Sequence, residues 1–169
     1  MTPDWRAVHA RQSVLREVIL EHQLTASLLQ RLWQRGVFDV EILHSAFDAG
    51  GYDLVLTRGR IIRHIQLKAS RADGTTASQK ISTALTSRPA GCVVWMVVGD
   101  DLTIHDYRFF GNGPTEPLTL DDFRTPRQAK ADATGHKAEW TSRRIVPASR
   151  FVPLAGIDAL LVALLGPLP

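Results

Sequence analysis

The stretch Gly50–Ser70, GGYDLVLTRGRIIRHIQLKAS, decides the fold because it has the pattern of a β-hairpin with polar residues at its open end. Tyr52–Leu56 and Arg60–Ala69 are rich in β-branched and other apolar residues, which predicts two antiparallel strands. Arg58-Gly59 lies between them and is expected to form a two-residue turn. The sequence therefore predicts a hairpin whose two strands run side by side to its open end.

The open end of this hairpin carries an acid, an amide and an ammonium group. Side chains alternate along a strand, so Gln66 and Lys68 share one face with His64. In the expected register Asp53 lies opposite His64, which makes it the diagonal neighbour of Gln66 on that face. A divalent cation that positions a phosphate would explain this convergence. Two alternatives remain open: Asp53 caps the Gly50-Gly51 turn, or Gln66 and Lys68 belong to a solvent-facing side of the strand.

The composition is that of an ordinary folded chain. With 169 residues, of which 44% are hydrophobic and 22% charged, residues 1–169 are expected to form one domain with its own core. A net charge of +3 permits a polyanionic partner without requiring one. Cys92 lies in an apolar run and is expected to be a buried thiol in a reducing compartment. The first residues, MTPDWRAVHARQ, lack a signal-peptide core, and no apolar run reaches membrane-spanning length, so we expect a cytoplasmic protein without a membrane partner.

The remaining elements predict an α/β fold in which a central mixed sheet is flanked by helices. Outside the hairpin we expect the helix Trp5–Arg35, the strand Val37–Leu43, the short helix Ala77–Thr86, the doubly buried strand Gly91–Val98 and the strand Leu102–Phe110. These elements form a core of about residues 4–110. An irregular excursion over about residues 111–141 is rich in proline and charge, and a strand and a helix over about 143–166 follow it.

This order of elements, with Asp53 on one strand and Gln66-x-Lys68 on the next, resembles the PD-(D/E)xK nuclease superfamily over Arg16–Val98. The resemblance implies a restriction-endonuclease-like αβββαβ core with an irregular C-terminal extension. It also implies a metal-dependent nuclease that hydrolyses phosphodiester bonds in DNA, with RNA as the second choice of substrate. A homodimer is the assembly that the resemblance suggests. The family pattern would make Asp53 and Gln66 metal ligands, Lys68 the catalytic lysine and the backbone carbonyl of Leu67 a further oxygen ligand.

This chain departs from the family pattern at Gln66, where the usual residue is Glu or Asp. The implied ion is Mg²⁺ or Mn²⁺, which prefers oxygen ligands, but Gln66 brings no charge to it. A further acid is therefore expected from the first helix, where Glu21 falls on the apolar stripe that contains Val14, Val18, Thr25, Leu28 and Leu32. Glu17, one turn earlier on the same helix, is the second candidate for this acid. The alternative is that Glu21 points to solvent or pairs with an arginine such as Arg16.

Two classes of function follow. The first is the metal-dependent nuclease. The second is a catalytically eroded protein of the same fold that acts as a nucleic-acid-binding or structural module, with Gln66 as the mark of erosion. Four arginines flank the motif and either track phosphates or are ordinary surface residues: Arg58, Arg60, Arg63 and Arg71.

Overall fold

The computed structural model describes residues 3–47, 49–127 and 140–169. The expected α/β fold, with a central mixed sheet flanked by helices, is confirmed. The helices are α1 (Trp5–Arg11), α2 (Ser13–Gln34) and α3 (Gly156–Leu165), with short 3-10 helices at Thr83–Ser87 and Ala148–Arg150. The strands are β1 (Val40–His44), β2 (Leu54–Arg58), β3 (Ile61–Arg71), β4 (Ser78–Ser82), β5 (Cys92–Val98), β6 (Ile104–Gly111), β7 (Arg143–Pro147) and β8 (Val152–Leu154).

The main sheet has six strands in the order β1-β2-β3-β5-β6-β8, and β4 and β7 form a separate two-stranded sheet. Strands β3 and β5 are parallel, while the other neighbours in the main sheet are antiparallel. Every residue of β5 is buried, which confirms the expected interior strand. Its position between β3 and β6 explains the continuous apolar run, because both faces of such a strand lie in the core.

Each face of the sheet has its own core. On one face, α2 and α3 pack against alternate residues of β2, β3 and β5 such as Leu54, Ile65 and Val94. On the other face, Val93 and Trp95 of β5 pack with residues of β4 and β7. Cys92 is fully buried as expected, and burial raises the pKa of its thiol to about 11.

The expected helix Ala77–Thr86 is wrong. The chain forms β4 there, followed by the 3-10 helix Thr83–Ser87. Ile81 and Leu85 are both fully buried in the second core, and β4 is held by antiparallel pairing with β7. Pairing with a strand more than sixty residues later overrides the weak local helix preference. The single helix predicted over Trp5–Arg35 is also interrupted, since α1 and α2 are separated at Gln12.

The hairpin register differs from the expected one by two residues. Arg58 pairs with Ile61, so the turn is Gly59-Arg60, and Gly59 has a left-handed φ of +57° that favours glycine. A shift of two residues keeps every side chain on its predicted face, whereas a shift of one would have moved it to the other. The backbone N–H of Asp53 donates to the Ile65 carbonyl at 2.9 Å, which places Asp53 beside Gln66 instead of diagonal to it.

The excursion after β6 is partly described. From residue 112 to 127 the chain forms turns without a regular helix or strand, yet Leu118 and Leu120 are buried in the second core. Residues 128–139 of the predicted excursion lie outside the described part of the chain. In the segment of about residues 143–166, where a strand and a helix were predicted, the chain forms β7, β8 and α3. No helix in residues 3–47, 49–127 and 140–169 is long and apolar enough to cross a membrane.

Candidate functional site

A cleft of about 440 Å³ lies between the first half of α2 and the β2–β3 hairpin. Its walls contain all the residues predicted from the sequence as metal ligands or as the catalytic lysine, together with the alternative acid Glu17: Glu17, Glu21, Asp53, Gln66, Leu67 and Lys68. The apolar rim comes from α2, where Val14 and Val18 are 74% and 49% exposed. The cleft therefore brings acids of α2 together with the polar residues of the hairpin, which lie more than thirty residues later in the chain.

Asp53 is held in place by the backbone around it. Its Oδ2 accepts a hydrogen bond of 2.6 Å from the Leu67 N–H, and its carbonyl accepts one of 2.8 Å from the Ser45 N–H. Because β3 is a central strand, the Leu67 donor is fixed relative to the sheet. These contacts orient the Asp53 carboxylate into the cleft beside the motif on β3.

Gln66 is almost fully buried, at 4% exposure, which argues against a solvent-facing role. Its side-chain Oε1 accepts a hydrogen bond of 3.2 Å from the backbone N–H of Ser82, the last residue of β4. An amide oxygen has two lone pairs, so this bond leaves acceptor capacity on the same atom. The neighbouring His64 turns elsewhere, with its Nδ1 2.9 Å from the Pro89 carbonyl and its ring edge-on to Tyr52.

Lys68 and Arg143 bring positive charge to the cleft. Lys68 lies two residues beyond Gln66 on β3 and therefore shares its face. Arg143 comes from β7, where it pairs with Ser82 across the small sheet. Arg143 was not predicted from the sequence, because its position depends on the pairing of β4 with β7. No local pattern around Arg143 indicates that pairing.

Glu21 is half-buried and lines the cleft, but the expected stripe on α2 is partly wrong. The buried line of α2 is a run of leucines spaced by four: Leu20, Leu24, Leu28 and Leu32. Glu21 flanks that line, and its Oε1 accepts a hydrogen bond of 2.6 Å from Nδ1 of His44 at the end of β1. His44, which was not predicted from the sequence, stacks on His22. Glu17 is more exposed and lies 3.9 Å from Arg16.

The donors at the cleft are of the type that a hard divalent cation prefers. Asp53 and Glu21 offer carboxylate oxygens, Gln66 an amide oxygen and Leu67 a backbone carbonyl, all oxygen ligands suited to Mg²⁺ or Mn²⁺. Only the two carboxylates of these four oxygen donors carry negative charge. Within residues 3–47, 49–127 and 140–169, no group of three or more His, Cys, Asp and Glu side chains lies close enough to bind a metal. The donor types fit the implied ion, with amide and carbonyl oxygens in the place of further acids.

The four arginines that flank the motif lie in different environments and do not form one phosphate-binding surface. Arg63 is fully buried, and its guanidinium donates to backbone carbonyls, so the expectation of a phosphate contact is wrong for this residue. Arg58 pairs with Asp39, and Arg71 pairs with Asp73 and Asp100. Arg60 lies exposed in the hairpin turn, at the far end of β3 from the cleft.

Similarity to known proteins is found at the level of structure. No family model matches the chain, and no curated protein matches it. Among solved structures, the chain is similar to Hjc, a Holliday junction resolvase from the archaeal hyperthermophile Archaeoglobus fulgidus. The similarity has a TM-score of 0.42 and 14% sequence identity, and it covers 80% of this chain and 98% of the resolvase chain.

Proposed function

We propose that this protein is a metal-dependent nuclease that hydrolyses phosphodiester bonds in DNA. One observation carries the proposal. The residues selected from the sequence for this chemistry, Asp53, Gln66, Leu67, Lys68 and Glu21, all line one cleft. Pairing within the hairpin explains the proximity of Asp53 to the motif on β3. It does not explain the presence of Glu21, which comes from a helix and more than thirty residues earlier in the chain.

Each residue has a role that its chemistry supports. Asp53, the Gln66 amide oxygen, the Leu67 carbonyl and Glu21 would hold Mg²⁺ or Mn²⁺. When bound, such an ion polarises a phosphoryl oxygen and lowers the pKa of a coordinated water. The Lys68 ammonium stabilises the negative charge that develops on the phosphoryl oxygens as the water oxygen attacks. The guanidinium of Arg143 offers paired N–H donors to a phosphate at the same cleft.

The direct test is cleavage of DNA by the purified full chain. With Mg²⁺ or Mn²⁺ we expect single-stranded, double-stranded or branched DNA to be cut. We expect a chelator to abolish the cutting, because none of the described residues that line the cleft can replace the Lewis acid. Readdition of metal should restore it. Cleavage that survives chelation, or none with either metal on any of these DNAs or on RNA, would contradict the proposal.

Replacement of Glu21 by Gln tests the helix acid. We expect metal-dependent cleavage to fall about tenfold or more, with a higher metal concentration needed for half-maximal rate, since a charged oxygen ligand is lost. The metal-free protein should change its free energy of unfolding by less than about 1 kcal/mol, because the Glu21–His44 pair is partly exposed. Metal titration of the cleavage rate and urea unfolding measure the two effects.

The matched control is Glu41→Gln, which removes an exposed acid from β1. It should leave both measurements as in the wild type. Equal metal dependence in Glu21→Gln and Glu41→Gln would remove Glu21 from the site and leave Glu17 as the remaining acid of α2.

The eroded-module function is the second candidate, and a specific observation favours it. The Gln66 oxygen already accepts a hydrogen bond from Ser82, and the side chain carries no charge to attract a cation. A protein of this kind would bind nucleic acid through the cations of the cleft without cutting it. Binding of DNA that is equally strong with metal and with chelator, combined with no cleavage, is the result that would favour this function over the nuclease.

A further inference from the structure

A second cleft, of about 480 Å³, adjoins the candidate site and shares Lys68 and Arg143 with it. The residues that belong to the second cleft alone are Lys80, Trp140 and Ser142. The second cleft therefore combines three cationic side chains with one large aromatic ring. The proposed function uses the first cleft and gives the Trp140 ring no role.

Trp140 is held at the surface instead of in a core. Its backbone N–H donates to the Pro126 carbonyl at 2.8 Å, and its own carbonyl accepts from the Arg143 N–H at 3.0 Å. Trp140 is 44% exposed as a residue, whereas Trp95 of β5 is fully buried. The Lys80 Nζ lies 5.0 Å from the centroid of the indole, a cation–π contact that orients the ring. The exposed part of the indole is thus presented from a fixed backbone.

An exposed aromatic ring among cations is the arrangement that binds single-stranded nucleic acid, because the ring stacks on a base and the cations follow the backbone. A base inside a duplex is already stacked on its neighbours, so an unpaired base is the one most free to stack on an exposed side chain. We propose that the DNA bound at the candidate site carries an unpaired base that stacks on Trp140, next to the phosphate held in the first cleft. This substrate class, single-stranded or locally unpaired DNA, rests on the proposed function.

The shared residues fix how the two clefts relate. Lys68 and Arg143 line both clefts, so a strand that crosses from one to the other keeps its phosphates near the same two cations. Lys80 adds a third positive charge on the side of Trp140. The base on Trp140 and the phosphate in the first cleft therefore belong to one strand in this proposal.

The test is equilibrium binding in the presence of a chelator, where no cutting occurs. The probes are a fluorescent oligothymidylate, an abasic strand of the same length and a duplex of the same length. Binding of each labelled probe is measured by fluorescence anisotropy. We expect the wild type to bind oligothymidylate about tenfold more tightly than the abasic strand, the usual effect of one stacked base. Trp140→Ala should bind both single strands equally, and Trp140→Phe should restore part of the difference. Trp33→Ala, which removes another exposed indole far from the clefts, should behave as the wild type.

Lys80→Ala supplies an independent readout. It should weaken binding of both single strands and lower the salt slope of the affinity by about 1, because a phosphate contact is lost. The stacking proposal is overturned if Trp140→Ala discriminates oligothymidylate from the abasic strand as well as Trp33→Ala does. It is also overturned if the wild type prefers the duplex.

The failure of stacking and the failure of the proposed function are distinguishable. DNA cleavage with metal, combined with an unchanged Trp140→Ala, refutes the stacking and leaves the nuclease standing. Base-dependent binding that requires Trp140, combined with no cleavage under any metal, supports the stacking and moves the protein to the binding-module class.

Discussion

Lys68→Ala should reduce metal-dependent DNA cleavage by about 10²–10³-fold, the usual effect of removing one group that stabilises charge in the transition state. Lys68 is half-buried at the cleft, two residues beyond Gln66 on β3. Its ammonium is the cation of the predicted motif, so its loss should lower the rate of the chemical step more than the affinity for DNA. Initial rates at saturating DNA, with Mg²⁺ present, measure the effect.

The matched control for this variant is Arg60→Ala. It also removes one positive charge, but Arg60 lies in the hairpin turn, at the end of β3 that is far from the cleft. It should cut DNA at the wild-type rate. Thermal unfolding of both variants shows whether the fold is intact. Equal rates for Lys68→Ala and Arg60→Ala would remove Lys68 from the chemistry.

Arg63→Ala should be the most destabilising of the substitutions considered, by about 3 kcal/mol or more. The side chain is fully buried and donates to the carbonyls of Gly113 at 2.6 Å, Asn112 at 2.8 Å and Ala163 at 3.3 Å. It also lies 5.2 Å from the centroid of the Phe109 ring. Its removal would leave buried acceptors without a donor and a cavity between β3 and α3.

Urea unfolding measures this effect. Arg60→Ala, in the exposed turn, should stay within about 0.5 kcal/mol of the wild type. Arg63→Met fills much of the same volume without donors, so it should lie between the two and separate the loss of packing from the loss of hydrogen bonds. An Arg63→Ala protein as stable as Arg60→Ala would contradict the structural role of this guanidinium.

The composition of the cleft was predictable from sequence because it depends mostly on strand alternation. The predicted hairpin register was wrong by two residues, yet Asp53 and Gln66 still lie on one face, since a strand repeats every two residues. The buried strand β5 was predictable for a similar reason, because a continuous apolar run between turn residues is typical of a doubly covered strand.

What could not be predicted depends on contacts between distant segments. Strand β4 forms by pairing with β7, and the same pairing brings Arg143 to the cleft. Arg63 looks like one more surface arginine of a basic strand, but its acceptors come from the segment after β6 and from α3. The position of Trp140 depends on a hydrogen bond from its backbone N–H to the Pro126 carbonyl. None of these contacts between distant segments can be predicted from a local pattern in the sequence.

Diffraction from crystals of the full chain soaked in Mn²⁺ tests the proposed metal site most directly, because the anomalous signal locates the ion itself. We expect a peak in the cleft, in contact with the Asp53 carboxylate and the Leu67 carbonyl and within direct or water-bridged reach of Gln66 and Glu21. The distances to direct oxygen ligands should be about 2.0–2.3 Å. A peak at His44 and His22 instead, or a cleft without a peak at a concentration that supports cleavage, would contradict the proposed site.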